Sequence, residues 1–275
     1  MMEKEVKDHV KNIGDTIKIT RAMQVIATTK LYPRQKQKAN AKAYLNDTKQ
    51  VLKTAIAFEN RNSRWFEQSA SNKPAYIVIA GDKGLCGDYN RVLLEEAESI
   101  IARAETPTKI YAIGYVAFEN LREKYDVNDK YVYLQLTPSS FDSWNMANDL
   151  ADAYLKGEFG SLKVIYTESG KYGETSVNCM NLLPLEYEAK EEFDVHIEKV
   201  NTEDIFRQYL SASIFYAIAS ASLAVNFKRM VAMRQATSNG EEMIEDLKIQ
   251  LNKMRQDKIT TDLSDAVALT FGKQL

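Results

Sequence analysis

Two ends of the chain that contain almost no glycine or proline constrain its fold more than any other feature. Of the 11 glycines, only one lies in residues 1–59 and only two lie in residues 202–275. Of the 5 prolines, only Pro33 lies in either end. Because glycine and proline are the strongest breakers of helices, the sequence predicts long helices at both ends and a turn-rich region between them.

Both ends carry apolar residues at helical spacing. In the C-terminal end the spacing alternates between four and three residues over seven heptads, which is the a/d pattern of a coiled coil. Three positions of this seam, Asn226, Thr237 and Gly240, are weak because they are not large and apolar. The whole seam consists of Ile205, Tyr209, Ala212, Tyr216, Ala219, Leu223, Asn226, Met230, Met233, Thr237, Gly240, Ile244, Leu247, Leu251 and Met254.

Helices of these lengths would measure roughly 90 and 110 Å, which is too long for an ordinary globular core. Since neither apolar seam is stable alone in water, the simplest arrangement is an antiparallel coiled coil of residues 1–59 and 202–275. Pro33 is expected to kink or interrupt the first helix, because it has no amide hydrogen to donate. A bundle of shorter helices remains the alternative.

The region between the ends, residues 75–198, has the pattern of an α/β domain. Short apolar strand candidates alternate with helical stretches, which favours a mostly parallel, Rossmann-like sheet. The strand candidates are 75–81, 109–114, 131–136, 162–169 and 175–185, and the helical stretches are about 87–104, 115–124 and 143–156. The acidic stretch 186–198 is predicted to be an exposed connector into the last helix.

The stretch GDKGLCGDYN, residues 81–90, resembles a phosphate-binding loop because three glycines follow a strand candidate at three-residue spacing. The dinucleotide fingerprint fails because position 83 is a lysine, and the P-loop fails because Asp88 follows the last glycine. Cys86 lies near a predicted helix N-terminus, where a thiolate is favoured, but the chain has only two histidines to serve as its base. We therefore predict a structural turn with Cys86 packed inside, and no catalytic residue, metal or cofactor.

A basic run on the first helix is the most informative charged feature. From Thr16 to Asn46 there are seven basic side chains and no acidic one: Lys18, Arg21, Lys30, Arg34, Lys36, Lys38 and Lys42. Such a run suggests an acidic partner surface. Nucleic acid is disfavoured because the run contains only two aromatic residues and the whole chain has a net charge of −2. An ordinary solvated helix face is the other possibility.

Motifs along the whole chain resemble the gamma subunit of F-type ATP synthases. IKITRAMQVIATTKL (17–31) resembles the N-terminal helix of that family, and RMVAMRQATSNGEEMIEDLKIQLNKMRQDKITTDLSDAV (229–267) is similar to its C-terminal helix. DKGLCGDYN (82–90) resembles the central loop of the family, and GEFGSLKVIYTES followed by LLPL fits the rest of the domain. The resemblance therefore covers nearly the whole chain in order.

The resemblance implies a rotating central stalk that does no chemistry itself. Its coiled coil would sit in a ring of three alpha and three beta subunits, and its central domain on the epsilon subunit and the c-ring. It implies one copy per complex, no cofactor and no nucleic acid, at the cytoplasmic face of the bacterial plasma membrane, which the chain would reach only through the c-ring.

The resemblance also carries over a set of partner-contact residues by position. Met23 lies on the first helix with Lys18 and Arg21 nearby, and Arg229 is expected to face it. Lys83 is the residue of the 81–90 loop best placed to touch a partner. A further group lies on the last helix and matches family residues that contact a beta-subunit loop. It consists of Arg255, Gln256, Thr260 and Asp262.

Several positions depart from the family pattern. Pro33 stands where a plain basic helix is usual, and Val225 stands where an acidic residue is common. GDYN (87–90) replaces a second glycine and an aliphatic residue. These departures leave open a rotor of a specialised F-type-like ATPase that is not used for ATP synthesis. A nucleotide-dependent enzyme that uses residues 81–90 is the competing hypothesis from another class.

Overall fold

The computed structural model describes residues 3–58, 64–66, 71–104, 106, 108–134, 139–170, 173–186 and 201–271, with only the backbone for 57–58 and 266–271. The two ends form the long helices α1 (Glu3–Phe58) and α5 (Thr202–Phe271). The elements between them are β1 (Pro74–Ile79), α2 (Tyr89–Ala102), β2 (Lys109–Ile113), α3 (Tyr115–Leu121), β3 (Asp126–Asn128), α4 (Ser140–Leu155), β4 (Ser161–Ser169) and β5 (Thr175–Leu183).

The chain divides into two compact units, each of which contains parts of both long helices. The first unit is Met1–Ile26 with Met230–Leu275, and the second is Ala27–Arg229. The division at 1–59, 75–198 and 202–275 stays a prediction, because it follows the ends of helices and not the contacts between them.

In the first unit, α1 and α5 pair in antiparallel orientation, which confirms the predicted coiled coil. The weak seam positions have specific partners there. The Thr20 and Thr237 hydroxyls lie 2.8 Å apart within hydrogen-bonding distance, and a Cβ added at Gly240 would meet Ile17 Cγ1 at 2.8 Å. Glycine at position 240 therefore makes room for an isoleucine of the opposite helix.

In the second unit, a five-stranded sheet has the order β3-β2-β1-β4-β5. The first four strands are parallel and β5 runs antiparallel to β4, so the predicted mostly parallel sheet is confirmed. Alternate residues of β1 enter two separate cores. Ala75, Ile77 and Ile79 pack in the core that contains α4 and parts of α1 and α5, whereas Tyr76 and Val78 pack in the core that contains α2 and α3.

The predicted strand at 131–136 is wrong where the structure describes it. Residues 131–134 form turns, and the third strand is the three-residue β3 at 126–128. Val132 donates its amide to Asp129 O at 3.2 Å, and Leu134 donates to Tyr131 O at 3.2 Å, so local bonds use these amides. Residues 135–136, and 187–198 of the predicted connector, lie outside the described residues.

Pro33 does not interrupt α1, which is helical on both sides of it. The predicted interruption is therefore wrong. Pro33 lies on an exposed face, while neighbouring turns of α1 supply Ala41 and Leu45 to the core of the second unit. Packing of the flanking turns outweighs the roughly 3 kcal/mol that an internal proline costs a helix.

Within the described part of the chain, α5 is the one helix long and apolar enough to cross a membrane, judged by length and composition alone. In its most apolar 18-residue window, 83% of the residues are buried inside the protein. Burial against the sheet explains this window, because Phe206, Leu210 and Ile214 are fully buried in the core there.

Candidate functional site

The N-terminal half of the basic run lies on the surface of the first unit. Lys18 pairs with Asp15 at 2.8 Å, one turn earlier on α1, and its side chain is 78% exposed. Arg21 reaches across to Glu241 of α5, with both side chains more than half exposed. Met23, two residues after Arg21 on α1, is half-buried. The three predicted contact residues of α1 are therefore close together, with Lys18 and Arg21 open to a partner.

The second half of the basic run is not a uniform surface, which corrects the predicted stripe. The Lys38 side chain is only 14% exposed, and its Nζ donates to Ser169 O at 2.7 Å and lies 3.3 Å from Glu168 Oε1. Arg34 is half-buried, and burial lowers the pKa of its guanidinium. These two residues are four apart and share an inward face of α1. The exposed cations of the run are Lys18, Arg21, Lys30, Lys36 and Lys42.

Exposed apolar side chains on the first unit form a feature that the sequence analysis missed. On α1, Ile19, Val25 and Ile26 are 62%, 57% and 55% exposed. On α5, the exposed apolar residues of this unit are Val231, Met243, Ile249, Ile259 and Leu263. The available signal was their position off the a/d seam, since apolar residues outside the seam have no partner helix to cover them.

The C-terminal contact group lies on a part of α5 where every described side chain from Arg255 to Asp265 is exposed. The Thr260 hydroxyl donates to Gln256 O at 2.9 Å, which leaves its oxygen able to accept another hydrogen bond. Arg255 also acts on Glu3, whose pKa is lowered first by its hydrogen bond with Lys7. The four predicted residues are therefore brought together on one exposed helical segment.

The 81–90 loop is a tight turn between β1 and α2 that is held by hydrogen bonds among its own residues. The Gly81 amide donates to Asn90 Oδ1 at 2.9 Å, and Asn90 Nδ2 donates to Cys86 Sγ at 3.4 Å. Gly87 has φ of 63°, the left-handed region where a Cβ is unfavourable, and Leu85 has φ of 61°. The predicted backbone role of glycine therefore holds at Gly87, whereas Gly84 has no positive φ and an added Cβ there would meet nothing within 4 Å.

This loop is docked on α5. Lys228 Nζ lies 3.0 Å from Asp88 Oδ1, and the Tyr89 hydroxyl donates to Ala221 O at 3.4 Å. Cys86 is buried in a small apolar cluster with Tyr89, Ala224 and Val225, and burial raises the pKa of its thiol. Asp88 is the N-cap residue of α2; its side chain makes no capping hydrogen bond, but its negative charge disfavours a bound phosphate at this helix start.

Lys83 and Arg229 are brought together by this docking. Arg229 Nη2 donates to Lys83 O at 3.4 Å, and the Lys83 side chain remains exposed. Next to them, burial raises the pKa of Asp82, although the charge of Arg229 opposes the shift. Met23 belongs to the first unit and Arg229 to the second, so their expected opposition stays a prediction.

Comparison with known sequences gives a consistent result over nearly the whole chain. A family model described as ATP synthase matches residues 2–268. The ATP synthase gamma chain of Clostridium acetobutylicum is 27% identical over 269 residues, which cover 95% of this chain and 95% of that one. The ATP synthase gamma chain of Lachnoclostridium phytofermentans is 29% identical over 284 residues, with coverage of 96% and 97%.

Comparison with solved structures gives the same fold. The chain is similar to one in the central stalk/c-ring structure of the Tetrahymena thermophila mitochondrial ATP synthase, with a TM-score of 0.56, 17% identity, and coverage of 79% of this chain and 99% of that one. It is also similar to one in the OSCP/F1/c-ring structure of the Euglena gracilis mitochondrial ATP synthase, with a TM-score of 0.52, 16% identity, and coverage of 95% and 97%.

Proposed function

Because the chain belongs to the ATP synthase family, in which its curated relatives are gamma chains, we propose that it turns as the central stalk of an F-type ATP synthase. It couples ion flow through a membrane rotor to ATP synthesis and hydrolysis in a head of three alpha and three beta subunits. The observation that carries this proposal is the family match over residues 2–268 on a chain whose ends pair as two long antiparallel helices.

The chain itself does no catalysis in this proposal. In the loop that most resembles a phosphate site, Asp88 places a negative charge, paired with Lys228, beside the start of α2. Nucleotides would bind on the alpha and beta chains, and this subunit would act on them mechanically.

In this proposal, the contacts between the first unit and the beta subunits change with the angle of the rotor. The first unit exposes cations, such as Lys18 and Arg21, beside apolar residues such as Ile19 and Val25. Each beta subunit then meets a different face at each rotor angle, and the difference in contact energy favours a different open or closed state. Exposed ion pairs contribute only about 0–1 kcal/mol each, so many contacts and shape together transmit the force.

The partners follow from the same proposal. The alpha–beta ring surrounds the helix pair and meets Lys83, Arg229 and the exposed segment that carries Arg255, Gln256, Thr260 and Asp262. The central domain contacts an epsilon subunit and the c-ring. One copy serves each complex, held peripherally at the cytoplasmic face of the bacterial plasma membrane through the c-ring.

Reconstitution with alpha and beta chains tests the proposal. We expect the chain to assemble with them and raise ATP hydrolysis, and a bead attached to the central domain should rotate in one direction when ATP is added. Replacing Arg255, Gln256, Thr260 and Asp262 by alanine should weaken the ATPase activity of the assembled head, whereas the control Glu95→Ala on α2 should not. A chain that stays monomeric and leaves the alpha–beta mixture unchanged would refute the proposal.

A further inference from the structure

One carboxylate in the second unit is shared by both long helices and by the sheet. Glu168, near the end of β4, accepts a hydrogen bond from the Tyr216 hydroxyl of α5 and lies 3.3 Å from Lys38 Nζ of α1. Its other oxygen accepts from Asn178 Nδ2 of β5 at 2.8 Å. Lys38, Glu168, Asn178 and Tyr216 are hereafter called the Glu168 clamp.

The Glu168 carboxylate of the clamp is ionised, and the side chains of Lys38 and Glu168 are mostly shielded from water. The side chains of Lys38 and Glu168 are 14% and 27% exposed. Burial alone would raise the pKa of Glu168, but the hydrogen bond from Tyr216 and the charges of Lys38 and Lys42 outweigh it, so the pKa lies below the ordinary value. Burial and Glu168 together raise the pKa of Tyr216, so its hydroxyl stays protonated and donates a hydrogen bond to Glu168.

Many contacts between α5 and this core are apolar and have little direction, including those of Ala212, Ala217 and Ala221. Apolar burial depends on area and not on angle, so by itself it offers little resistance to turning about the helix axis. Outside the clamp, the directional contacts of α5 include the Arg207–Asp152 pair with α4 at 2.8 Å and the Lys228–Asp88 pair with the 81–90 loop at 3.0 Å. Charged hydrogen bonds depend steeply on distance and angle.

The β4–β5 hairpin holds α5 at two further points. The rings of Tyr166 and Tyr216 meet edge to face with centroids 6.2 Å apart. At the hairpin turn, Gly173 has φ of +81°, and a Cβ added there would meet Phe227 Cζ at 2.0 Å. The hairpin therefore lies against α5 from Tyr216 to Phe227, while Lys38 ties α1 to the end of the same strand.

We propose that the Glu168 clamp transmits torque between the helix pair and the sheet of the second unit. The inference rests on the proposed rotary function and adds the positioning residues through which the force passes. Turning the helices against the sheet separates Lys38 and Tyr216 from Glu168. A charge in a poorly solvated site would then lose its partners, which is strongly unfavourable.

The experiment uses the assembled complex with its head fixed to a surface and a bead on the central domain, attached through Ser99→Cys in a Cys179→Ser background. The variants are Glu168→Gln, Tyr216→Phe, Lys38→Met and the conservative Lys38→Arg. The matched control is Glu158→Gln, because Glu158 and Lys109 also lie 3.3 Å apart but link β2 to the segment after α4. The readouts are the angular fluctuation of the stalled bead and the ions pumped per ATP hydrolysed.

We expect Glu168→Gln and Lys38→Met to widen the angular fluctuation about twofold and to lower the ions pumped per ATP, because a directional bond is lost. Lys38→Arg should restore both values, and Glu158→Gln should match the unmodified complex. If Glu168→Gln does not assemble, Tyr216→Phe tests the clamp in its place, because this variant removes only one hydroxyl group.

Unchanged fluctuation and pumping in an assembled, rotating Tyr216→Phe or Lys38→Met complex would overturn the clamp and leave the rotary function intact. An unmodified chain that fails to assemble or rotate would instead refute the proposed function itself.

Discussion

Gly114 is a residue at which the fold of the second unit requires glycine, both for its backbone angle and for space. It precedes α3 with φ of +93°, and a Cβ added there would lie 2.1 Å from Ala80 O, a backbone atom that cannot move aside. We expect Gly114→Ala to destabilise the chain by about 3 kcal/mol, through a strained φ and the clash together. The midpoint of urea unfolding measures this change.

Gly84→Ala is the matched control for Gly114→Ala. An added Cβ at Gly84 has nothing within 4 Å, and the residue does not have a positive φ. Its free energy of unfolding should therefore change by less than about 1 kcal/mol. Equal shifts of the unfolding midpoint in the two variants would contradict the steric restriction described at Gly114.

The two cysteines should react at very different rates with a thiol reagent. Cys86, in the docked 81–90 loop, is buried against α5, whereas Cys179 is exposed on β5. In the native chain we expect one thiol to be labelled quickly at neutral pH, and in Cys179→Ser we expect labelling only after unfolding. Mass spectrometry of the labelled chain measures this, and rapid labelling of Cys179→Ser would show that the loop does not stay docked on α5.

Two of the departures from the family pattern, Val225 and the GDYN stretch, meet at the same contact, and this could not be predicted from the sequence. Val225 takes the place of a common acidic residue, and it packs with Cys86 and Tyr89 of the loop in which GDYN also departs. Their positions are more than 130 residues apart in the chain. Local patterns carry no information on such pairs, so each departure alone looked like divergence.

At the scale of elements, periodicity predicted the long helices and the buried strands, because burial on a regular surface gives a regular pattern. It failed at 131–134, the described part of the predicted strand, where Tyr131 and Val132 are buried from a turn and not from a strand. An apolar run shows that side chains are buried but not which backbone bonds are made. The short β3 has only three residues, two of them polar, and gave no signal.

The basic run shows the same limit for the candidate site. Composition indicated seven cations facing a partner, but the helix turns Lys38 toward Glu168, a residue 130 positions away. The proposed contact residues Lys18, Arg21 and the C-terminal group were carried over by position in the family, and in the structure they lie on exposed faces. The exposed Ile19 and Val25 had no such guide.

Pro33→Ala should stabilise α1. The residue is exposed in the middle of a continuous helix, and alanine would restore an amide hydrogen for the helical ladder. We expect a gain of about 1–3 kcal/mol in the free energy of unfolding. Gln35→Ala is the control, because this exposed position already has its amide and should change by less than about 0.5 kcal/mol. Unfolding in urea measures both, and no gain for Pro33→Ala would mean that α1 bends there to avoid the cost.

At the scale of the whole molecule, the division into two units allows the stability of the fold and the proposed rotary coupling to be tested separately. The second unit contains the sheet and both of its cores, whereas the first contains paired helix ends with exposed cations and apolar residues. The residues that stabilise the fold and those proposed to contact the alpha–beta ring are thus largely different. Substitutions in the first unit should change activity at little cost to the stability of the sheet.

Removal of residues 255–275 tests this separation directly. Every described side chain from Arg255 to Asp265 is exposed, and none of them belongs to a core of the second unit. We therefore expect the truncated chain to keep the unfolding midpoint of the sheet, followed by near-ultraviolet circular dichroism, while assembly with alpha and beta chains or the ions pumped per ATP decreases. Gly114→Ala provides the reference for a change that does unfold the sheet. If the truncation lowers the midpoint as much as Gly114→Ala does, the end of α5 stabilises the second unit and the proposed division of roles is wrong.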